Sequence, residues 1–500
     1  MDRRNFLKFG AIAVAATAAR AAAKVEGVIG TKQISLAAGL TIERGGFERI
    51  AVLDITKLPG FDPISGSLIS PEGVMSVIDL SQLPKDLFEL RFKPVTKDLM
   101  DINLPLENPI KKQGMCGLTL QGKWLVRGNK TTRFSGITNP DGERNRLDRV
   151  IHIVDGDLTI QNIEFEDMLW ATQKGDNTIP PAVISGVNSS VEGVSVSFLW
   201  NPVQSHIREA EKDRRVNWFG AGISPDYYDF SRGIVLQNTY SDPQEVPVKN
   251  LSLRGSNLEA PFDAVYTEGP GFNVDIDRSK LVEINSGNLS QGAGFVITRT
   301  YESRVEIKNT DIKAAKPLMV FFLNDGDAGL LKKYPELENR DSVGFSLEGG
   351  SIVGTAHDLL VDAGHLTLAD TTFYIGSLSN KVWLSTLLSG VDVNKPNIVK
   401  DLKFVIDPAH ENSVFLPIYI HDLASQVKGV MRFEYRENIF EIDSKFVENH
   451  LPEGLQLPYI LAFKIKSGKV QLVFMQNSEA YYKGEVFYVD IDLAINLSGR

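Results

Sequence analysis

Residues 251–258 read Leu-Ser-Leu-Arg-Gly-Ser-Asn-Leu, and variants of this octet recur along the middle of the chain. Apolar residues occupy its first, third and eighth places. Alternation with a period of two residues is typical of a strand that buries one face. The polar residues in the middle predict a sharp turn, after which the eighth residue returns to the core. The octets begin at Leu118, Leu158, Leu251, Val274, Val305, Phe345 and Leu366.

From Leu251 onward, successive octets start 23, 31, 40 and 21 residues apart. The short intervals fit one coil of a parallel β-helix, and the long intervals fit a coil that carries a loop. A single coil cannot cover its own apolar face, so coils must stack around a continuous core. The competing all-β arrangement, a β-sandwich, needs antiparallel hairpins with two-residue turns, and this region offers few. The octets therefore predict an all-β chain built on a right-handed parallel β-helix.

The repeated strand–Gly/Asn–strand coils resemble the right-handed β-helix superfamily of pectate lyases and polygalacturonases. The resemblance covers about half of the chain and concerns the pattern of the coils. Residues 120–134 and 238–284 are also similar to the β-helix proteins of colanic acid gene clusters. The paired aspartates and the Gly-His-Gly segment of polygalacturonases are absent. The resemblance therefore implies a fold, and no functional residue is carried over from it.

The octets and their surroundings divide the chain into four segments. Residues 1–23 have the pattern of an export signal. Residues 24–116 are predicted to form an N-terminal cap, because the open end of a β-helix exposes core and sheet edges. Residues 117–379 are predicted as the β-helix, with an excursion at 204–231 that interrupts the repeat. Residues 380–500 hold longer alternating runs and are predicted as a β-rich C-terminal domain or cap with antiparallel strands.

Residues 2–8 read Asp-Arg-Arg-Asn-Phe-Leu-Lys and match the twin-arginine export signal, with Asp2 where Ser or Thr is usual. A short, alanine-rich apolar run and a small-residue cleavage site follow, as in signal peptides. Such signals are read by the twin-arginine translocase, which exports folded proteins. We therefore expect cleavage near Ala23 and a mature chain in the periplasm or outside the cell. A disordered basic N-terminus is the alternative.

The formal net charge of −10 argues against nucleic acid as a partner, although it leaves a sugar substrate open. After Ala23, no apolar stretch is long enough to span a bilayer. Cys116 is the single cysteine, so an intrachain disulfide and a zinc site built on several cysteines are both excluded. A lone cysteine is more often a small buried apolar residue than a nucleophile.

A candidate site lies on the strands that follow the octets, at residues 263–268, 294–299, 318–325 and 357–362. Equivalent positions of stacked strands lie about 4.8 Å apart, so the ends of these strands are expected to form a ladder of acidic groups around an arginine. Two carboxylates suit glycoside hydrolysis, whereas an arginine beside them suits a polysaccharide lyase. An arginine that merely neutralises acidic neighbours explains the same pattern. The catalytic candidates are Glu268, Arg299, Asp325 and Asp362.

The excursion at 204–231 combines basic and aromatic residues. This combination suits a saccharide, because aromatic rings stack on sugar faces and arginine pairs with carboxylates. A solvated helix with a packed loop explains it equally well. The substrate-binding candidates are His206, Arg208, Trp218 and Tyr227 in the excursion, and Tyr266 on the candidate face.

No cofactor is expected, with calcium left open. Residues 324–327 read Asn-Asp-Gly-Asp, and oxygen ligands around a glycine turn can bind Ca²⁺. The twelve-residue calcium loop is absent, however, and Asp, Asn and Gly are ordinary turn residues. The seven histidines show no compact zinc spacing.

The sequence thus predicts an exported β-helix protein that acts on an extracellular or periplasmic polysaccharide as a glycosidase or a lyase. The alternative is a non-catalytic glycan-binding or exopolysaccharide-assembly protein that uses the same face. A surface adhesin or structural protein is a weaker third interpretation. The fold alone does not decide among them.

Overall fold

The chain is described here by a computed structural model, which is organised as coils of short strands. The described residues are 30–45, 48–84, 87, 89–100, 111–128, 147–168, 182–186, 188–198, 232–238, 246–284, 292–314, 316–322, 328–335, 343–354, 359–361, 365–375, 398–406, 414–420, 427–428, 430–435, 438–455, 459–466, 469–476 and 486–490.

One coil comprises the three strands Val265–Glu268, Phe272–Asp277 and Lys280–Glu283. Each strand pairs in parallel with the equivalent strands of the preceding and following coils. Inward side chains such as Val274 and Leu281 are buried in a core that continues from coil to coil. The stacked coils form three parallel sheets, named the first, second and third sheet in the order in which the chain visits them. The predicted all-β parallel β-helix is confirmed.

The first and second sheets are continuous through two long strands that bend between them, Lys111–Arg127 and Arg149–Gln161. The other parallel strands of the first sheet are Ser67–Ile69, Ala182–Gly186, Arg232–Gln237, Val265–Glu268, Ala293–Thr300, Lys316–Phe322 and Leu359–Val361. Those of the second sheet are Gly30–Gln33, Val74–Asp79, Asn188–Glu192, Lys249–Arg254, Phe272–Asp277, Ser303–Lys308, Val343–Glu348, His365–Ala369, Ile398–Lys400 and Val427–Lys428. Those of the third sheet are Glu164–Met168, Ser195–Phe198, Asn257–Ala260, Lys280–Glu283, Asp311–Ala314, Ser351–Gly354, Thr372–Ile375, Lys403–Ile406 and Val430–Tyr435.

The octets predicted the register of these sheets. Their first residues form one row of partners in the second sheet, which runs through Leu251, Val274, Val305, Phe345 and Leu366. Their eighth residues form a buried row in the third sheet, which runs through Leu258, Leu281, Ile312, Ile352 and Phe373. The octet at Leu118 departs from this register, because Leu118 pairs with Ile151 in the first sheet while Trp124 is the partner of Leu158.

The corner between the second and third sheets is a tight turn repeated in every complete coil, and we call it the hydroxyl corner. Its first residue has a left-handed backbone, with φ of 53° at Asn162, 48° at Arg278 and 48° at Asn309. The next residue in several coils is a buried Ser or Thr whose hydroxyl donates back across the turn. The hydroxyl of Thr310 donates to the carbonyl of Lys308 over 2.8 Å and accepts from the backbone N–H of Ser279. This side chain satisfies backbone groups that the turn leaves without sheet partners.

Parallel pairing begins before residue 117. Strand Gly30–Gln33 pairs with Val74–Asp79, which pairs in turn with Lys111–Arg127. The remaining elements of this region are the mixed sheet of Leu40–Gly45, Glu48–Leu53 and Glu89–Phe92, the short strand Phe61–Asp62, the antiparallel strand Val95–Met100, and the 3-10 helices Ile55–Lys57 and Leu80–Gln82.

Parallel pairing also continues past residue 379, as far as Val430–Tyr435, which then forms an antiparallel hairpin with Asn438–Asp443. The C-terminal region also contains an antiparallel sheet, as the alternating runs predicted. Its strands are Val414–Ile420, Tyr459–Lys466, Lys469–Gln476 and Val486–Asp490. Among the described residues, the α-helices are Ala328–Lys333 and Ser444–Asn449. Within the described ranges, no helix has the length and apolar character needed to cross a membrane.

Candidate functional site

The first and second sheets meet at a second corner, which we call the charged corner, and Glu268 and Arg299 lie there in adjacent coils. Glu268 ends strand Val265–Glu268, and its register partner in the next coil is Thr298. Arg299 therefore occupies the position equivalent to Gly269, one residue beyond the expected rung. The register of the first sheet shifts between Ile297 and Thr300, so the strand carries an irregularity where the arginine sits.

The backbone of Arg299 is left-handed, with φ of 52°, where Gly269 in the preceding coil has φ of 101°. A side chain with a Cβ is disfavoured in this region by roughly 1–2 kcal/mol, and irregular strands with such residues are common near functional sites. The conformation turns the guanidinium back toward the preceding coil. Its Nη1 lies 3.4 Å from Oε1 of Glu268.

The Glu268–Arg299 ion pair is largely removed from solvent. The side chain of Glu268 is 5% exposed and that of Arg299 is 14% exposed. The amide Nε2 of Gln237, one coil earlier, donates to Oε2 of Glu268 over 3.3 Å. Both carboxylate oxygens thus have donors. Breaking so poorly solvated an ion pair is costly in free energy, because removal of one partner leaves the charge of the other with little access to water.

Tyr266 lies two residues before Glu268, on the same side of its strand. The guanidinium of Arg232 lies 4.2 Å from the centre of the Tyr266 ring, a cation–π contact. Arg232 is itself anchored by Asp263, whose Oδ2 accepts from Nε over 2.7 Å. Burial raises the pKa of Tyr266 well above its ordinary value, and Glu268 adds to the rise. The phenol is therefore neutral across the physiological pH range.

Arg232 and Asp263 were not singled out from the sequence. Asp263 also accepts from the backbone N–H of Ala293, and burial raises its pKa despite the attraction of Arg232. Burial likewise lowers the pKa of Lys316 to about 8, partly offset by Asp263 and Glu283. These buried charges form a cluster at the start of the first-sheet strands. The sequence gives one indication of this cluster, namely that Arg232 stands directly before the apolar run 233–236.

The outer face of the first sheet is mostly apolar beside the charged corner. Its central row runs through Val235, Tyr266, Val296 and Met319, and all four side chains are buried. The middle of this face is therefore apolar in these coils. Charge is concentrated at the two ends of the strands.

In earlier coils, the same row holds His152 and Ser185, whose Nδ1 and Oγ lie 2.9 Å apart. Burial lowers the pKa of His152 to about 3, and the charge of Arg149 adds to this effect. The imidazole is therefore neutral above about pH 4 and serves as a hydrogen-bonding group within the row.

The structure brings three of the predicted site residues together, namely Glu268, Arg299 and Tyr266. The predicted ladder is offset, since Thr298 and not Arg299 is the register partner of Glu268. The other predicted site residues lie outside the described residues: Asp325, Asp362, His206, Arg208, Trp218 and Tyr227.

Metal binding finds no geometric support in the described part of the chain, which contains no group of three or more His, Cys, Asp or Glu side chains placed to hold an ion. Residues 324–327, the calcium candidate, lie outside that part. Cys116 is buried, and burial raises the pKa of its thiol to about 12, which makes it unreactive.

Comparison of the chain with protein-family models, with curated proteins and with solved structures found no match.

Proposed function

We propose that this chain is an exported protein of the pectate lyase-like β-helix superfamily that acts on a polysaccharide in the periplasm or outside the cell, as a glycosidase or a lyase. The proposal joins the twin-arginine pattern at residues 2–8 to a rigid coil architecture that offers an extended wall to a polymer. The twin-arginine translocase is its proposed partner during export.

The observation that carries the proposal is the Glu268–Arg299 pair at the charged corner. A left-handed arginine on an irregular strand is a strained arrangement, and here it positions a guanidinium against a carboxylate from the preceding coil. Tyr266 and its contact with Arg232 fix an aromatic ring on the same strand.

The chemistry assigned to this corner follows from its groups. In a lyase, Arg299 would neutralise the sugar carboxylate while a basic group takes the proton from the neighbouring carbon, and the glycosidic C–O bond breaks as the double bond forms. In a glycosidase, Glu268 would need a second carboxylate at about 5–9.5 Å. Asp325, which lies outside the described residues, remains the proposed second carboxylate.

A second candidate function is glycan binding or exopolysaccharide assembly without catalysis. One observation favours it: both oxygens of Glu268 already accept hydrogen bonds, from Gln237 and Arg299, and the side chain is 5% exposed. A carboxylate held in this way is suited to a fixed structural or binding role more than to proton transfer.

Incubation of the purified protein with a panel of neutral and acidic polysaccharides separates these functions. New reducing ends without a new chromophore indicate hydrolysis, and ultraviolet absorbance of a new double bond indicates elimination. Binding with neither product supports the second candidate. A protein that neither binds nor cleaves any member of the panel contradicts both.

A further inference from the structure

Two hydrogen-bond donors on adjacent coils of the first sheet lack acceptors, and we call them the donor pair. One is Nη1 of Arg232, a buried atom without a hydrogen-bond partner among the described residues. The other is the phenol of Tyr266, which makes no hydrogen bond within the same ranges. The two side chains are 5% and 9% exposed, respectively. Buried donors are normally satisfied, so the donor pair marks a place where an acceptor from outside the chain is expected.

The two donors lie close together and are held in place. Cζ of Arg232 lies 4.2 Å from the centre of the Tyr266 ring. Nη1 therefore lies within about 5.5 Å of that centre, because its bond to Cζ is about 1.3 Å long. Nε of Arg232 donates to Asp263, and the guanidinium also lies 5.3 Å from the centre of the Phe262 ring. Groups fixed in this way lose little conformational entropy when a ligand binds.

The charges around the donor pair already have partners of opposite sign. Among the described residues, the charges that act on the donor pair and on its neighbours Asp263 and Lys316 are three cations and three carboxylates. An anionic ligand would add an uncompensated negative charge in a largely buried place, which is unfavourable. A neutral acceptor is therefore favoured. The six charged residues are Arg232, Arg299, Lys316, Asp263, Glu268 and Glu283.

The donor pair and its surroundings fit an acyl group. A carbonyl oxygen accepts two hydrogen bonds and brings no hydrogen that needs an acceptor, whereas a sugar hydroxyl does. The Tyr266 ring lies in a buried apolar row between Val235 and Val296, with Met319 in the following coil. This row suits a methyl group beside the carbonyl, and a hydroxyl would lose its hydration there.

We propose that the donor pair binds the acetyl group of an N-acetylated or O-acetylated sugar. This inference rests on the proposed function and names its substrate class, an acetylated polysaccharide. Strand Val265–Glu268 carries Tyr266 two residues before Glu268, so the bound acetyl group lies about 7 Å along the strand from the Glu268–Arg299 pair. A sugar ring spans such a distance, and the charged corner then faces the same or the neighbouring sugar.

The test is isothermal titration calorimetry of the full chain with matched saccharides. Chitohexaose and cellohexaose differ only in carrying an acetamido or a hydroxyl group on each sugar, and acetylated xylan is compared with the same xylan after alkaline deacetylation. We expect the acetylated member of at least one pair to bind about tenfold more tightly than its match. The pair that shows the preference identifies N-acetyl or O-acetyl as the group bound.

Tyr266→Phe removes one donor and keeps the ring against Arg232. Because the phenol makes no hydrogen bond within the described part of the chain, the variant should unfold at the same urea concentration as the unmodified protein. We expect it to bind the preferred acetylated saccharide about threefold to tenfold more weakly and the matched saccharide equally well. Tyr374→Phe is the control, since Tyr374 lies on the third sheet and is 42% exposed, and its binding should not change.

Equal affinity for both members of each saccharide pair would overturn the inference. Equal binding of the acetylated saccharide by Tyr266→Phe, Tyr374→Phe and the unmodified protein would overturn it as well. Both results leave the proposed function standing when a polysaccharide is bound or cleaved, whereas absence of binding and product with every polysaccharide rejects the proposed function together with the inference.

Discussion

One arginine at each of the two corners has the same unfavourable backbone conformation, and the fold uses the two arginines differently. Arg278, at the hydroxyl corner, has φ of 48°, is 72% exposed, and pairs with its neighbour Asp277. Arg299, at the charged corner, has φ of 52°, is 14% exposed, and pairs with Glu268 of the preceding coil. A left-handed arginine is therefore not by itself a sign of function. What distinguishes Arg299 is that its guanidinium is largely buried and contacts a carboxylate of the preceding coil.

The largest difference in stability between the two corners is expected when the carboxylate of each ion pair is removed. Glu268→Ala leaves the guanidinium of Arg299 poorly solvated without this partner, so we expect a loss of about 3 kcal/mol in the free energy of unfolding. Asp277→Ala removes a pair that water largely screens, and we expect less than about 1 kcal/mol. Urea denaturation of both variants measures the difference. Losses of equal size would remove the distinction between the corners.

The hydroxyl corner should instead depend on neutral hydrogen bonds. Thr310→Val removes the hydroxyl that serves the carbonyl of Lys308 and the N–H of Ser279, and each loses a buried partner. We expect a loss of about 1–3 kcal/mol. Thr310→Ser keeps the hydroxyl and is the control, and it should recover most of this loss. A Val variant as stable as the Ser variant would show that the hydroxyl is dispensable.

Substitution of each arginine by asparagine separates the effect of backbone strain from the effect of the ion pair, because asparagine tolerates the left-handed region better than arginine. Arg278→Asn reproduces the residue found at the equivalent turn positions 162 and 309, so stability should change by less than about 0.5 kcal/mol or rise slightly. Arg299→Asn relieves the same strain but removes the partner of Glu268, and stability should fall. Thermal denaturation compares the two variants; a more stable Arg299→Asn protein would contradict a structural role for the ion pair.

Dependence of stability on pH should arise at the buried charges at the start of the first-sheet strands, and not at the hydroxyl corner. The pKa of Lys316 is about 8 in the folded chain and about 10.5 when unfolded, so the folded chain releases this proton first. Stability should therefore carry a component that rises between about pH 8 and 10.5, with the slope of at most one proton. Lys316→Met should abolish this component, whereas Thr310→Val should shift the whole curve without changing its shape. An unaltered alkaline slope in Lys316→Met would disprove the assignment.

The parts of this fold that follow a strict period could be predicted from the sequence. The rows through Leu251 and Leu258 could be predicted, because the alternation of apolar and polar residues and the position of the turn determine which side chains face the core. The offset of Arg299 could not be predicted, because the continuous apolar run 293–297 does not fix which residue of its strand pairs with Glu268. The Arg232–Asp263 pair joins residues 31 positions apart, and nothing local in the sequence links them.

The central claim, that the Glu268–Arg299 pair is the working centre of a polysaccharide-acting protein, is tested most directly by comparing Arg299→Ala with Arg278→Ala. Both substitutions remove an arginine from a left-handed position, and only one removes it from the charged corner. On the polysaccharide that the unmodified protein cleaves or binds, we predict that Arg299→Ala loses product formation or binding while Arg278→Ala retains it. Equal behaviour of the two folded variants would contradict the claim.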